Sequence, residues 1–465
     1  MLNFRQDDTI TALATPPGAG AIAIIRLSGK NAFQIGNRVF LSKGTSNIDF
    51  ASRKSHTLVF GTLQDHSTVD EVVVGIYRGP SSFTGEDTLE FSCHGSVFVQ
   101  QRVLDLLIGQ GARMAEPGEF TLRAFLNGKL DLSQAEAVAD LIASDTAAAH
   151  QVAIRQLRGG FSSLIKELRS ELIRFASLIE LELDFAEEDV EFANRNQLKA
   201  SLDQLRNRLK RLIDSFEMGN VIKNGIPVVI AGKPNAGKST LLNALLNEER
   251  AIVSDIAGTT RDTIEEELTL KGVKFRFIDT AGIRETTDAI ERIGVDRTME
   301  KIRQSPVIIY LFDVNETSCG DLQEQLDELR NQVNPTFLLL PVGNKIDQYE
   351  TEELEAEYRS VSNVLLISAK SGTNLDMLRN TLLSRFRSGE LDSGDTVVAN
   401  ARHVAELKKT DEALVKVLEG LEKGVSNDFV AGDLRFALHH LGLITGEISN
   451  EDLLENIFSK FCIGK

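Results

Sequence analysis

Tryptophan is absent from this 465-residue chain, and cysteine is scarce. The three cysteines, Cys93, Cys319 and Cys462, have neither the paired spacing of a metal site nor the density of a disulfide framework, which suits a reducing compartment. No apolar run approaches the ~20 residues of a membrane-spanning helix. The first residues, Met1 to Asp8, lack the apolar core of a secretion signal. The expected location is therefore the cytoplasm, with no membrane partner. Grouped basic charge is missing too. With 51 Lys and Arg against 68 Asp and Glu, the formal net charge of −17 excludes a protein that coats nucleic acid by charge alone, because counterion release needs clustered cations. An RNA contact would have to be local or shared with a partner. There is no internal repeat and no low-complexity segment.

What remains is a globular composition, 42% hydrophobic and 26% charged, in a chain long enough for about three domains. Over 1–127, β-branched runs such as Ala21 to Leu27 and Glu71 to Tyr77 alternate with Gly and Pro punctuation, predicting an α+β domain with a helix from Ser96 to Leu107. Over 128–219, the spacing of Leu164, Leu168, Leu172, Phe175 and Leu178 predicts long helices. Strands and helices alternate over 220–385. Helical periodicity returns over 386–465, in Val404 to Leu421 and Asp433 to Leu441. Each helical flank carries apolar stripes that need cover. The simplest packing joins the two into one discontinuous helical domain with the alternating section inserted; two separate helical domains are the alternative.

The inserted section opens on Gly232-Lys233-Pro234-Asn235-Ala236-Gly237-Lys238-Ser239, after the apolar Val228 to Ala231 and before the helical Thr240 to Leu246. That strand, loop and helix order is the setting of a phosphate-binding loop, where glycines let successive N–H groups face phosphate oxygens and the helix adds its positive end. Lys238 is expected on the β- and γ-phosphates and Ser239 on Mg²⁺. Asp279-Thr280-Ala281-Gly282, about forty residues on, follows the strand-like Phe275 to Ile278. There Asp279 would hold Mg²⁺ through water, and the Gly282 N–H would sense the γ-phosphate. In Asn344-Lys345-Ile346-Asp347 the Asp347 carboxylate suits the two neighbouring donors of guanine, which adenine does not present. Ser368-Ala369-Lys370 completes the base pocket. Four ordered motifs at strand ends predict a Ras-like phosphate-loop GTPase domain with a mostly parallel sheet.

Between the first two motifs, Ser254-Asp255-Ile256-Ala257-Gly258-Thr259-Thr260 reads as a switch, with Thr260 a second Mg²⁺ ligand. Ile283 stands where Ras-type enzymes have a water-orienting Gln. An alkyl group cannot orient water, so either hydrolysis is slow or another group supplies the stabilisation. Asn235 either adds an oxygen donor for a monovalent cation near the phosphates or is a turn residue. Glu291 either orients water or lies on a solvated helix face. His94 is a proton shuttle or a structural histidine, and the acidic run Asp184 to Glu191 is either a cation site or, the expected reading, a solvated helix end.

These residues resemble the MnmE (TrmE) family of tRNA-modification GTPases, and the likeness spans essentially the whole chain. Ala14-Thr15-Pro16-Pro17-Gly18, Arg26-Leu27-Ser28-Gly29, Phe83 to Glu90, Pro117 to Thr121 and Asn127 to Leu132 look like that family's N-terminal motifs. Cys462-Ile463-Gly464-Lys465 looks like its C-terminal signature. The resemblance implies an N-terminal domain similar to folate-binding aminomethyltransferase domains. It would bind 5-formyltetrahydrofolate or a related folate through Arg26, Glu90, Lys129 and Lys465, and form a homodimer. It also implies K⁺ sites built from Asn235, Ser254, Ile256 and Thr259, a water-orienting role for Glu291, and a part for Cys462 in the modification chemistry. With an FAD-dependent MnmG-type partner, in a hetero-oligomer, the dimer would install a carboxymethylaminomethyl-type group on carbon 5 of the wobble uridine of certain tRNAs. GTP hydrolysis would drive a conformational cycle. A ribosome-assembly GTPase switch, or a folate-dependent one-carbon transferase regulated by GTP, are the competing readings; the first normally carries a basic RNA-binding appendage, and no clear one is found.

Overall fold

The structure, a computed structural model, describes residues 8–42, 48–184, 195–247, 265–278, 305–332, 337–349, 354, 356–386 and 397–465. The chain divides into two compact units. One comprises Met1–Ser144, His150–Asp214 and Ala401–Lys465, and the other Asp145–Ala149 and Ser215–Asn400.

In the first unit seven strands form one sheet: β1 (Ile10–Leu13), β2 (Ile22–Ser28), β3 (Phe40–Ser42), β4 (Thr57–Gln64), β5 (Thr68–Tyr77), β6 (Thr88–His94) and β7 (Arg113–Met114). Their order is β3-β4-β5-β6-β2-β1-β7. All pairs are antiparallel except β1 with β7. Alternation along the strands sorts the two faces. Ala23, Ile25 and Leu27 of β2, and Leu89, Phe91 and Cys93 of β6, are buried on one of them. There they meet Phe33, Ile35 and Val39 of the helix Ala32–Val39 and Val103 and Leu107 of the helix Val97–Gly109. Helices gathered on one face of an antiparallel sheet are the α+β arrangement. Truncating Phe91, which is fully buried, to Ala would cost about 3–5 kcal/mol. The opposite face carries Arg26 and Glu90, directly paired across β2 and β6.

The helical part of this unit is discontinuous in sequence. The helices Gly160–Asp184 and Arg195–Asp214 pack with Ala401–Lys423 and Asn427–Thr445. Each contributes an apolar stripe at helical spacing, such as Leu202, Leu205 and Leu209 facing the stripe of Leu407, Leu414 and Val417. In Gly160–Asp184 the fully buried positions are Ile165, Leu168, Leu172 and Ile179. The stripe is thus centred one residue beyond Leu164 and Leu178, which are half-buried. Glu136, on the helix Leu132–Ile142, ties the two halves together. Its Oε1 accepts from Arg402 Nε at 2.9 Å, and its Oε2 meets Arg402 Nη2 at 2.8 Å and His403 Nε2 at 2.6 Å. Burial alone would raise this carboxyl, but His403 and Arg402 outweigh it and bring it down to about 2.

The second unit is a six-stranded sheet: β8 (Ile226–Ala231), β9 (Glu265–Leu270), β10 (Val273–Ile278), β11 (Val307–Asp313), β12 (Leu338–Asn344) and β13 (Leu365–Leu366). Its order is β13-β12-β11-β8-β10-β9, parallel apart from β9 against β10. Every residue of β11 is buried, as a central parallel strand covered on both faces requires. Val228 and Ile230 pack toward Leu241, Leu245 and Leu378 on one face, and Val229 toward Leu322 and Tyr358 on the other. Among the described residues, no helix is long and apolar enough to cross a membrane.

Candidate functional site

β8 ends at Ala231, and the loop that follows opens onto the helix Lys238–Asn247. Two glycines permit its path. A Cβ at Gly232 would come 2.0 Å from the Leu311 carbonyl oxygen, and one at Gly237 would come 2.3 Å from Asn344 Nδ2. Between them Asn235 sits in the left-handed region at φ 65°, a conformation that Asn tolerates better than most residues. Lys238 curls back over the loop, its Nζ donating to the carbonyl oxygens of Gly232 (2.8 Å) and Lys233 (2.9 Å). The ammonium therefore stands over the concave side of the loop. Ala236 is buried beneath it, while Ser239 and Thr240 are exposed at the start of the helix, where free N–H groups favour an anion.

The base-side motif is knitted to this loop. Asn344, buried at the end of β12, donates from Nδ2 to the Ala236 carbonyl oxygen (2.9 Å) and accepts on Oδ1 from the Ala369 N–H (2.9 Å). One side chain thus bridges the phosphate loop and the 368–370 loop. Ile346 is buried in the core, and Asp347 is exposed, with one oxygen accepting from Ser368 Oγ at 2.8 Å. Lys345 adopts φ 71° and Lys370 is exposed. Ser254 to Thr260, Asp279 to Gly282, Ile283, Glu291 and all of the acidic run beyond Asp184 lie outside the described residues.

A second cluster forms on the open face of the first sheet. Arg26 donates from Nε to Glu90 Oε1 (2.9 Å), and its Nη2 lies 2.8 Å from the same oxygen. Its guanidinium stacks over the rings of Phe83 and Phe120, 5.5 Å from each centroid. The end of the chain joins them. Gly118 N–H donates to the Cys462 carbonyl oxygen (3.4 Å), and Lys465 is half-buried close enough to Arg26 and Glu90 to feel both charges. Burial first, then Arg26, lower its pKa, against the opposing pull of Glu90 and Cys462. Tyr77 faces the same carboxylate; burial and then Glu90 raise its phenol. Lys129 is not bonded to this pair. Its Nζ donates to the Pro80 carbonyl oxygen (2.8 Å), beside the turn that carries Phe83. Cys462 is exposed. His94 is held through Nδ1 by Asp70 Oδ1 at 2.7 Å.

Motif reading missed what supports that turn. Arg123, buried, bonds Glu86 Oε1 (3.1 Å), Asp8 Oδ1 (2.6 Å) and Glu119 Oε1 (2.9 Å), while Ser28 Oγ donates to Glu86 Oε2 (2.8 Å). The signal present in sequence was the pair Glu119 and Arg123, one helical turn apart.

A parallel sheet whose central strand feeds a glycine loop and helix, with an Asn-Lys-x-Asp loop bonded to that glycine loop, defines a phosphate-loop GTPase. The chain matches the GTP-binding protein TrmE N-terminus over residues 9–129 and the MnmE helical domain over residues 132–462. It is 56% identical to the tRNA modification GTPase MnmE of Flavobacterium johnsoniae over 465 residues, covering 98% of this chain and 99% of that one. The corresponding protein of Cytophaga hutchinsonii is 55% identical over 459 residues (98% of each), and that of Bacteroides thetaiotaomicron 46% over 469 (98% and 99%). The chain belongs to the MnmE family of tRNA modification GTPases.

Proposed function

We propose that this GTPase works with an FAD-dependent partner to add a carboxymethylaminomethyl-type group to carbon 5 of the wobble uridine of certain tRNAs, using a folate as one-carbon carrier. The observation that carries the reading is the meeting of Arg26, Glu90 and Lys465, with the Arg26 guanidinium over the rings of Phe83 and Phe120. Its chemistry suits a reduced folate. A carboxylate takes the paired donors of a pterin ring, aromatic faces cover the ring system, and cations receive the glutamate tail. Lys129, beside the same turn, extends the cationic side. Exposed Cys462 is near enough to act in the modification chemistry. The same sheet face carries Leu58, 73% exposed and in register with Gly75, Glu90 and Arg26, and Phe60, 46% exposed. An apolar rim beside the cluster favours a homodimer that covers it.

At the nucleotide site, Asn235 to Thr240 would cradle the phosphates with Lys238 as the catalytic cation, and Asn344 to Asp347 with Ser368 to Lys370 would hold guanine. Ser254 to Thr260 and Asp279 to Gly282 complete the GTP set by motif, with Glu291 orienting water. Mg²⁺ held by Ser239 and Thr260, and K⁺ held by Asn235, Ser254, Ile256 and Thr259, would neutralise phosphate charge. Ser239 is exposed, so its hydroxyl oxygen is open to the first of these ions.

Nucleoside mass spectrometry of bulk tRNA from cells with and without the gene tests the reading. Loss of the carbon-5 modified wobble uridines, restored by the intact gene and not by Lys238→Ala, is expected. Unchanged nucleosides would refute it. Equal GTPase rates in K⁺ and Na⁺ at one ionic strength would refute the K⁺ sites alone.

A further inference from the structure

Asp313 closes β11, in register with Asn344 on β12, and belongs to none of the nucleotide motifs. Its side chain is almost fully buried, and its two oxygens do separate things. Oδ1 accepts from the N–H of Asn315 (2.9 Å) and from Asn315 Nδ2 (2.7 Å), shaping the turn after the strand. Oδ2 accepts from Lys345 Nζ at 2.5 Å. Burial alone would raise the Asp313 pKa, yet the bonds from Lys345 and Asn315 leave it lowered, so the carboxylate is ionised. Lys345 stands between two anchored neighbours. Asn344 is fixed to the phosphate loop and Asp347 to Ser368. Its own backbone is in the left-handed region at φ 71°, and its side chain is 40% exposed.

We propose that Asp313 is a positioning residue for guanine nucleotide: its Oδ2 clamps the Lys345 ammonium, so that the four-carbon stem of Lys345 stands fixed as a wall of the base pocket before nucleotide arrives. A lysine loses much rotamer freedom when a ligand packs on it, and that loss otherwise comes out of the binding free energy. Holding the stem from behind, through a carboxylate buried at the end of β11, removes most of it. The clamp also steadies a backbone conformation that a lysine adopts reluctantly.

The division of labour between the two oxygens supplies the test. Asp313→Asn keeps an acceptor for the Asn315 turn and replaces the Lys345 acceptor with an amide donor. Lys345→Met keeps the stem and removes only the ammonium. Affinity of the full chain for N-methylanthraniloyl-GDP, read by fluorescence, is expected to fall about five- to tenfold in each single variant. The double variant is expected to bind no more weakly than Lys345→Met alone, since both changes break one bond. A role confined to the turn would instead add its full loss in the Lys345→Met background. If Lys345→Met binds within about twofold of the parent, or if the two losses multiply in the double variant, the proposal is overturned. Asp313→Glu, which keeps the charge but displaces the carboxylate, replaces Asp313→Asn in the same cycle should the latter fail to fold, and Lys345→Met alone can still overturn the proposal.

Discussion

The backbone of Gly464 lies against that of Leu13 so closely that a Cβ at 464 would come 2.1 Å from the Leu13 carbonyl oxygen. Gly464 is also at φ 97°, where side chains are strained. Any residue but glycine therefore lifts the 462–465 segment, and Lys465 with it, away from Arg26 and Glu90. Gly464→Val is expected to weaken 5-formyltetrahydrofolate binding at least tenfold by calorimetry, a difference of about 1.4 kcal/mol. Parental affinity in a folded variant would mean that the segment contributes nothing to the ligand.

Asp347 offers guanine two acceptors, one of which also takes the Ser368 hydroxyl. Asparagine would offer one acceptor and one donor, a pattern that matches the ring N–H and the neighbouring carbonyl of xanthine. Asp347→Asn is expected to exchange preference, with GTP hydrolysis falling and XTP hydrolysis rising under the same conditions. A variant that still prefers GTP would place base selection elsewhere.

Lys238 holds its ammonium over the loop by bonds to two carbonyl oxygens, poised for phosphate oxygens to replace them. Lys238→Ala removes the nearest fixed cation of the described loop. GTP turnover should fall by about two orders of magnitude, the scale of losing one preorganised charge contact in a transition state. A drop of less than about threefold in single-turnover hydrolysis would assign phosphate stabilisation to other groups.

Glu136 predicts an acid-sensitive bundle. Its folded pKa of about 2 lies below the ordinary 4.5, so its stabilisation is complete above pH 4.5 and is lost as pH falls toward 2. Glu136→Gln leaves Arg402 and His403 without their anion and should lower stability at neutral pH by about 3 kcal/mol. The gap between variant and parent should close on acidification, measured by denaturant unfolding across that window. A gap independent of pH would mean that the carboxylate's charge is irrelevant.

The architecture was legible because each layer has its own period. Two-residue alternation in β2 and β6, continuous apolar runs in β8 and β11, and helical spacing in both flanks each point to one kind of packing. The order of phosphate and base motifs likewise announced a nucleotide fold. Finer features depended on partners far apart in sequence. Whether Ile165 or Leu164 lies deepest is set by the facing helices, since both fit the same period. Arg26 and Glu90, 64 residues apart, came together only through resemblance; strand order makes them neighbours. Asp313 carried no motif at all, because its role lies in a bond to Lys345, 32 residues on.

Glu136 and Arg402 are separated by 266 residues, and the whole nucleotide unit lies between them in the chain. On a ribosome adding roughly 5–20 residues per second, Glu136 emerges roughly 13 to 53 seconds before its partner. Closing the first half of the bundle in that interval would bury its carboxylate without Arg402 and His403, which is costly. The nucleotide unit, whose sheet strands all come from residues synthesised between these two partners, is free to fold during the wait. Order of synthesis thus becomes order of assembly, and the bundle is sealed last, after the module that separates its halves in the chain.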